Sequence, residues 1–249
     1  MARITIIETG LVPREHRERH GSFPDMFARM IRTEDPTATI DVVSIPNGDA
    51  LPHPSELDAV LITGAAAGVY DGLDWIAALE DFVRKAYTSK TPMVGVCFGH
   101  QLIAQALGGT VRKSEKGWGI GRHVYRVLPE NGVVDGEAIA IPCSHQDQVI
   151  DPPSEALTIL SSDFTPHAGL LRQRHDADRP AASGIRRRVR AGVLRTARRQ
   201  RAGGGRCHGE AVSRAAAGQR EARRRDHAVL GAQIYLLILR ARQGGRLEG

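Results

Sequence analysis

Cysteine is scarce in this 249-residue chain: there are three, Cys97, Cys143 and Cys207, with no CxxC spacing among them. An odd set without that spacing argues against both a disulfide framework and a structural zinc site, and a reducing cytoplasm is the expected setting. Long apolar runs are missing as well. The candidate "AVLGAQIYLLIL", Ala228 to Leu239, has 12 residues, where a bilayer-spanning helix needs about 20, so no membrane is expected as a partner. The opening "MARITIIETG" reads as a short strand followed by polar residues rather than as a signal peptide. No P-loop or other ATP-binding motif occurs, and neither a cofactor nor a metal is expected.

Aromatic residues make up only 4% of the chain, and their distribution, like that of charge, is uneven. A formal net charge of +6 and a pI near 9.6 suggest nucleic acid until the chain is divided. Residues 1–171 hold 14 Lys+Arg against 22 Asp+Glu, whereas residues 172–249 hold 20 against 6. All four lysines precede residue 172, and Tyr235 is the one aromatic residue after it. Twenty arginines could neutralise phosphates. Without aromatic platforms or a recognisable nucleic-acid fold, however, nucleic acid is not the expected partner.

The first part alternates in pattern. "RITIIET" (Arg3 to Thr9), "TIDVVSI" (Thr39 to Ile45), "AVLITG" (Ala59 to Gly64) and "PMVGVC" (Pro92 to Cys97) are β-branched runs bounded by turn residues, as buried parallel strands are. "LDWIAALEDFVRKAY" predicts a helix capped by Asp74, with Trp75, Ala78, Leu79, Phe82 and Val83 on its apolar face. Strand and helix in alternation imply an α/β fold with a doubly wound, mostly parallel sheet. "RHVYRVL", "EAIAIPC" and "ALTILSS" add later strands. From about Arg172 the strand pattern stops. The expected organisation is one domain over residues 1–171 and an Arg/Ala/Gly-rich, poorly packed segment over 172–249.

A strand that runs into Gly95-Val96-Cys97-Phe98-Gly99 and then a helix has the form of a nucleophile elbow, in which small neighbours permit a sharp turn that exposes the side chain. The amino end of the helix then faces the sulfur, favouring thiolate, and the Phe98 N–H is placed for an oxyanion. Read singly, Gln101 could cap its helix and His145 could be a hydrogen-bonded loop histidine. His100 reads as a packing residue, Cys143 as an inert buried thiol, and His16, His20, Asp163 and His167 as solvated loop residues.

"GVCFGHQLIAQALGG" resembles the nucleophile segment of the class I, triad-type glutamine amidotransferases, in particular the amidotransferase domain of GMP synthetase and its stand-alone relatives. "LITGAAAGVYD" (Leu61 to Asp71) stands where that family has its oxyanion glycine loop, and "PCSHQDQV" (Pro142 to Val149) where it has a glutamine-contacting loop. The resemblance covers residues 1–171 and implies a flavodoxin-like domain that hydrolyses glutamine through a γ-glutamyl thioester and releases ammonia to an acceptor, supplied by a separate synthetase or other partner. It implies Cys97 as nucleophile, Phe98, Gly64 and Ala65 as the oxyanion hole, and Gln101, Ser144, His145 and Asp147 as glutamine-binding residues. Ala65 departs from the glycine often found there. A γ-glutamyl peptide hydrolase would use the same elbow.

Such a nucleophile needs a histidine to carry protons and a carboxylate to orient it. The family takes both from a late His-Pro-Glu motif, and none occurs in this sequence. "CHGE", with His208 and Glu210, lies among glycines and alanines with no strand to deliver it. Arginine- and alanine-rich text without lysine is what a GC-rich gene yields out of frame. Back-translated as CCA GCT GCA TCC GGA ATT CGA, Pro180 to Arg186 loses one base to become CAG CTG CAT CCG GAA TTC, which encodes Q-L-H-P-E-F, with the histidine at the codon of Ala182. Asp176 to Arg179 can be read as T-P-T-V ahead of it. The sequence is therefore expected to change frame between Leu171 and Asp176, and the chain as written to be a poor glutaminase.

Overall fold

The computed structural model describes residues 3–129 and 133–173, together with the backbone of Ile234–Ile238. The predicted first strands form as β1 (Arg3–Glu8), β2 (Thr39–Ser44), β3 (Val60–Ile62) and β4 (Met93–Val96), all parallel in the order β2-β1-β3-β4. Alternation along these strands divides the core between two faces. Ile4, Ile6 and Leu61 pack with Ile31 on one side, while Ile7, Val60 and Ile62 pack on the other with Leu79, Phe82, Val83, Leu102 and Ile103. The inner strands β1, β3 and β4 are thus buried on both faces, as a doubly wound sheet requires, while β2 is the edge strand and leaves Val42 exposed.

Among the described residues, four α-helices accompany these strands: α1 (Arg14–His20), α2 (Phe23–Glu34), α3 (Asp74–Thr88) and α4 (Phe98–Ala106). Helix α2 opens with a reciprocal capping box, Ser22 accepting from the Asp25 N–H while the Asp25 carboxylate accepts from the Ser22 N–H. His16 and His20, expected in a loop, lie on α1. Asp74 is the first residue of α3 rather than its cap, and no side chain caps that end. The buried face of α3 is Ile76, Leu79, Phe82, Val83 and Ala86, with Ala78 turned outward.

The sheet is less parallel than expected. Strands β6 (Gly119–Val127), β7 (Ala138–His145), β9 (Ala156–Ser161) and β10 (Gly169–Gln173) pair antiparallel and bury a second core of Tyr125, Ile139, Ile141, Ile159, Leu160 and Leu171. A separate ladder joins β5 (Thr110–Lys113) to β8 (Asp147–Asp151). The boundary expected at residue 171 is also passed, because β10 runs to Gln173 and Arg172 is only 8% exposed. Arg172 donates from Nε to Glu155 Oε2 at 3.0 Å, and its guanidinium lies 4.4 Å from the centre of the Tyr87 ring.

The segment expected to be without strands contributes one. Five consecutive apolar residues, Ile234–Ile238, form β11 between β4 and β10, antiparallel to β4 and parallel to β10, with Ile234 opposite Val96. Ala182, Cys207, His208 and Glu210 lie outside the described residues. No described helix is long and apolar enough to cross a membrane.

Candidate active site

The carboxyl ends of the parallel strands carry the site. From β1 the chain turns to one side for β2 and then to the other for β3, so a crevice opens between the ends of β1 and β3. Two buried threonines close its floor: the Thr9 N–H donates to Thr63 Oγ1 at 3.0 Å, and Thr9 Oγ1 donates to the Thr63 carbonyl at 3.1 Å. Gly64 and Ala65 follow directly. A Cβ at Gly64 would stand 3.6 Å from the Cβ of Cys97, so this loop borders the cysteine. Among the described non-glycine residues only Lys90 and Cys97 have positive φ, so Ala65 fits its turn without backbone strain.

Cys97 itself sits at φ 53° and ψ −109°, between the end of β4 and the start of α4. A non-glycine residue held there costs about 1–3 kcal/mol, which the surroundings must impose. Gly95 and Gly99 allow it, because α4 lies almost in backbone contact with the sheet: a Cβ at Gly95 would fall 2.3 Å from the Gly99 carbonyl oxygen, and one at Gly99 2.3 Å from that of Ile62. The Gly99 N–H donates to the Thr63 carbonyl at 3.1 Å and ties the first turn of α4 to the end of β3.

The electrostatics of the thiol correct one expectation. The Phe98 N–H bonds to the Cys97 thiol and favours its ionised form, but burial outweighs it, and nearby Asp147 and Cys143 act in the same direction as burial. The thiol is pushed up to about 11. The residue as a whole is half-buried, whereas its sulfur lies deep among protein atoms. At pH 7 on the order of one molecule in ten thousand would carry thiolate. A helix amino end alone does not activate this cysteine.

Gln101 and Asp147 come together beside the elbow. Gln101, 3% exposed on α4, donates from Nε2 to the Asp147 carbonyl at 2.9 Å, so its amide joins the helix to the β7–β8 turn instead of capping α4. His145 is buried at the end of β7, its ring 6.2 Å from Phe164, which in turn meets His123 edge-on at 5.2 Å. Burial lowers His145 to about 4; a bond to the Asp147 backbone opposes this, and His123 adds to it. Ser144 alternates to the other face of β7, opposite half-exposed Ile120, and so stands apart from Cys143 and His145. Cys143 is 1% exposed and is pushed up to about 11 by burial, as an inert thiol would be. His100 is fully buried on α4. Asp163 is in an exposed loop, while half-buried His167 exchanges a 2.8 Å hydrogen bond between Nδ1 and Thr158 Oγ1. Sequence reasoning gave no role to Tyr70, whose phenol donates to the Asp147 carboxylate, although it falls within "LITGAAAGVYD". Among the described residues no group of three or more His, Cys, Asp or Glu could hold a metal ion.

The chain is similar to one subunit of the glutamine-hydrolyzing GMP synthase of Sulfolobus acidocaldarius, at 32% identity over 126 residues, which are 50% of this chain and 65% of that one. It is similar also to gamma-glutamyl peptidase 3 of Arabidopsis thaliana, at 29% identity over 43% of this chain and 46% of the peptidase. The chain thus spans less than two thirds of the length of these curated relatives. Among solved structures, a glutamine amidotransferase from Thermotoga maritima superposes with a TM-score of 0.59 at 19% identity, covering 69% of this chain and 71% of that one, which establishes the shared fold. The model of the class-I glutamine amidotransferases matches residues 19–175, more than half of the chain, and the protein therefore belongs to that family.

Proposed function

We propose that this protein is a glutaminase-type amidotransferase domain in which Cys97 attacks the side-chain amide carbon of glutamine. The sulfur–carbon bond forms, the carbon–nitrogen bond breaks, and ammonia leaves with a proton; water then cleaves the γ-glutamyl thioester to glutamate and restores the thiol. The Phe98 N–H and the Gly64-Ala65 loop take the developing oxyanion, and Gln101, His145 and Asp147 hold the substrate, whereas Ser144, turned to the other face of β7, is left out of the site. The observation that carries the reading is the left-handed backbone of Cys97, set beside Gly64 at the crevice where β1, β3 and β4 end. Ammonia passes to an acceptor on a separate synthetase chain, and the free thiol calls for a reducing, cytoplasmic setting.

Turnover by the chain as written is slow. A thiol pushed up to about 11 needs an imidazole to take its proton and to protonate the leaving nitrogen. We attribute the missing partner to a change of reading frame between Leu171 and Asp176. The family match ending at residue 175 supports this, as does β11, which runs against β4 and so does not bring its carboxyl end to Cys97. Ammonia release from glutamine should be near background in the chain as written and abolished in Cys97→Ala. A version with the frame shifted from codon 175 should release ammonia at least a hundredfold faster, the scale of general acid–base catalysis. Fast turnover by the chain as written, or an intact gene frame with a matching polypeptide mass, would overturn the frame reading. Faster cleavage of γ-glutamyl peptides than of glutamine would assign the site to peptide hydrolysis.

A further inference from the structure

The loop after β3 is held in place by three separate ties. Gln105 of α4 donates from Nε2 to the Val69 carbonyl at 3.3 Å, the Gly68 N–H donates to Asp71 Oδ2 at 2.8 Å, and the Tyr70 phenol donates to the Asp147 carboxylate. These groups meet over Gly68. A Cβ there would stand 3.0 Å from Tyr70 Cζ, 3.1 Å from Asp147 Oδ2 and 3.1 Å from Asp71 Oδ1, so the glycine leaves room for the ring and both carboxylates to close on one point. The Tyr70 side chain bridges the segment bearing Gly64 and Ala65 to the turn bearing His145 and Asp147, while 43% of the residue remains exposed.

We propose that Tyr70 is a positioning residue for the Cys97 site, its hydroxyl holding the Asp147 carboxylate in place over Gly68 and drawing part of its charge away from the thiol. The inference rests on the reading above that Cys97 and Asp147 serve one site. Asp147 is among the groups that disfavour the Cys97 thiolate, and a hydrogen bond donated to a carboxylate draws its charge away from a neighbour. The other titratable groups around this point are Asp71 from the same loop, Cys143 from β7, and His145, which bonds to the Asp147 backbone. Tyr70 stays protonated, chiefly through burial of its hydroxyl and then through the bond to Asp147, so it serves as a donor and not as an acid.

The test uses the full chain and needs no turnover. Alkylation of Cys97 by iodoacetamide is followed from pH 7 to pH 11 in the parent, in Tyr70→Phe, in Asp147→Asn and in the double variant, with Cys97→Ala to identify the signal and thermal unfolding to confirm the fold. Tyr70→Phe should slow alkylation at pH 9 on the order of threefold, and Asp147→Asn should speed it by a similar factor, each corresponding to about half a pKa unit. In the Asp147→Asn background the Tyr70→Phe change should have no effect, because the two residues act as one pair. Equal slowing in both backgrounds, or none in either, overturns the inference. Failure of the version shifted at codon 175 to release ammonia from glutamine, while these shifts are present, would overturn the functional reading and leave the role of Tyr70 standing.

Discussion

Replacing Gly99 by alanine tests how the elbow is held. The new methyl would lie 2.3 Å from the Ile62 carbonyl oxygen, a backbone atom at the end of a central strand that cannot rotate away. Restoring an ordinary contact of about 3.4 Å requires α4 and β3 to separate by about 1 Å, and forced overpacking of this kind costs about 1–3 kcal/mol. For a domain of this size that corresponds to a fall in Tm of roughly 2–12 °C. The same movement lengthens the 3.1 Å bond from the Gly99 N–H to Thr63 and releases the strained backbone at Cys97, so the alkylation profile of the thiol should move with Tm. Gly64→Ala is the control, because a Cβ there meets only the Cys97 Cβ, at an ordinary 3.6 Å, and Tm should change by less than about 2 °C. Differential scanning fluorimetry with parallel alkylation decides the matter. If Gly99→Ala melts with the parent and reacts as the parent does, close backbone contact is not what holds Cys97 in its conformation.

Three further outcomes are expected. Alkylation of Cys97 should rise with a midpoint near pH 11 in the chain as written, with Cys143 reacting far more slowly; a Cys97 midpoint below pH 8 would contradict the dominance of burial at this thiol. His145 is lowered from 6.5 to about 4, so its neutral form is the one favoured by folding. The stability this provides is complete above pH 6.5 and is lost as pH falls toward 4, by up to about 3 kcal/mol; in urea titrations, His145→Gln should flatten that acid limb, and an unchanged limb would assign it to other groups. Arg172→Ala should lower stability by about 1–3 kcal/mol, by losing the bond to Glu155 and the contact with Tyr87. A change below about 0.5 kcal/mol would mean that Arg172 is not part of the folded domain.

Local pattern made the parallel half readable. β1 to β4 fall on short runs rich in β-branched residues, with β1, β3 and β4 buried on both faces, and the glycines around Cys97 announce a tight strand-to-helix turn whatever the remainder of the chain does. Helix α1 escaped notice because "REHRERH" has no apolar face and none of its residues is buried. Helix α2 carries a local signal in Ser22 and Asp25, three residues apart, which form its capping box. The thiol's protonation was misjudged for a different reason. The amino end of a helix is visible in sequence, whereas the burial that opposes it comes from residues distant along the chain. Gln101 and Asp147 are 46 positions apart, and Tyr70 and Asp147 further still, so only the fold puts these groups in hydrogen-bond reach. β11 lies inside the apolar run Ala228 to Leu239, which is too short to span a bilayer and has no alternation to mark it as a strand amid its arginine-rich setting.

The position of β11 also governs how the molecule can be assembled. Among the described residues no ladder joins β4 directly to β10; β11 supplies the backbone partners of both. A chain that has not yet placed this strand has two interior strands with open edges, each able to pair with an extended segment of another molecule. The last described strand to be synthesised completes the middle of the sheet, so the long-range pairing that folds most slowly is also the one that protects the chain from aggregation. Truncation before Ile234 should therefore show itself first as lost solubility during synthesis, ahead of any change at Cys97.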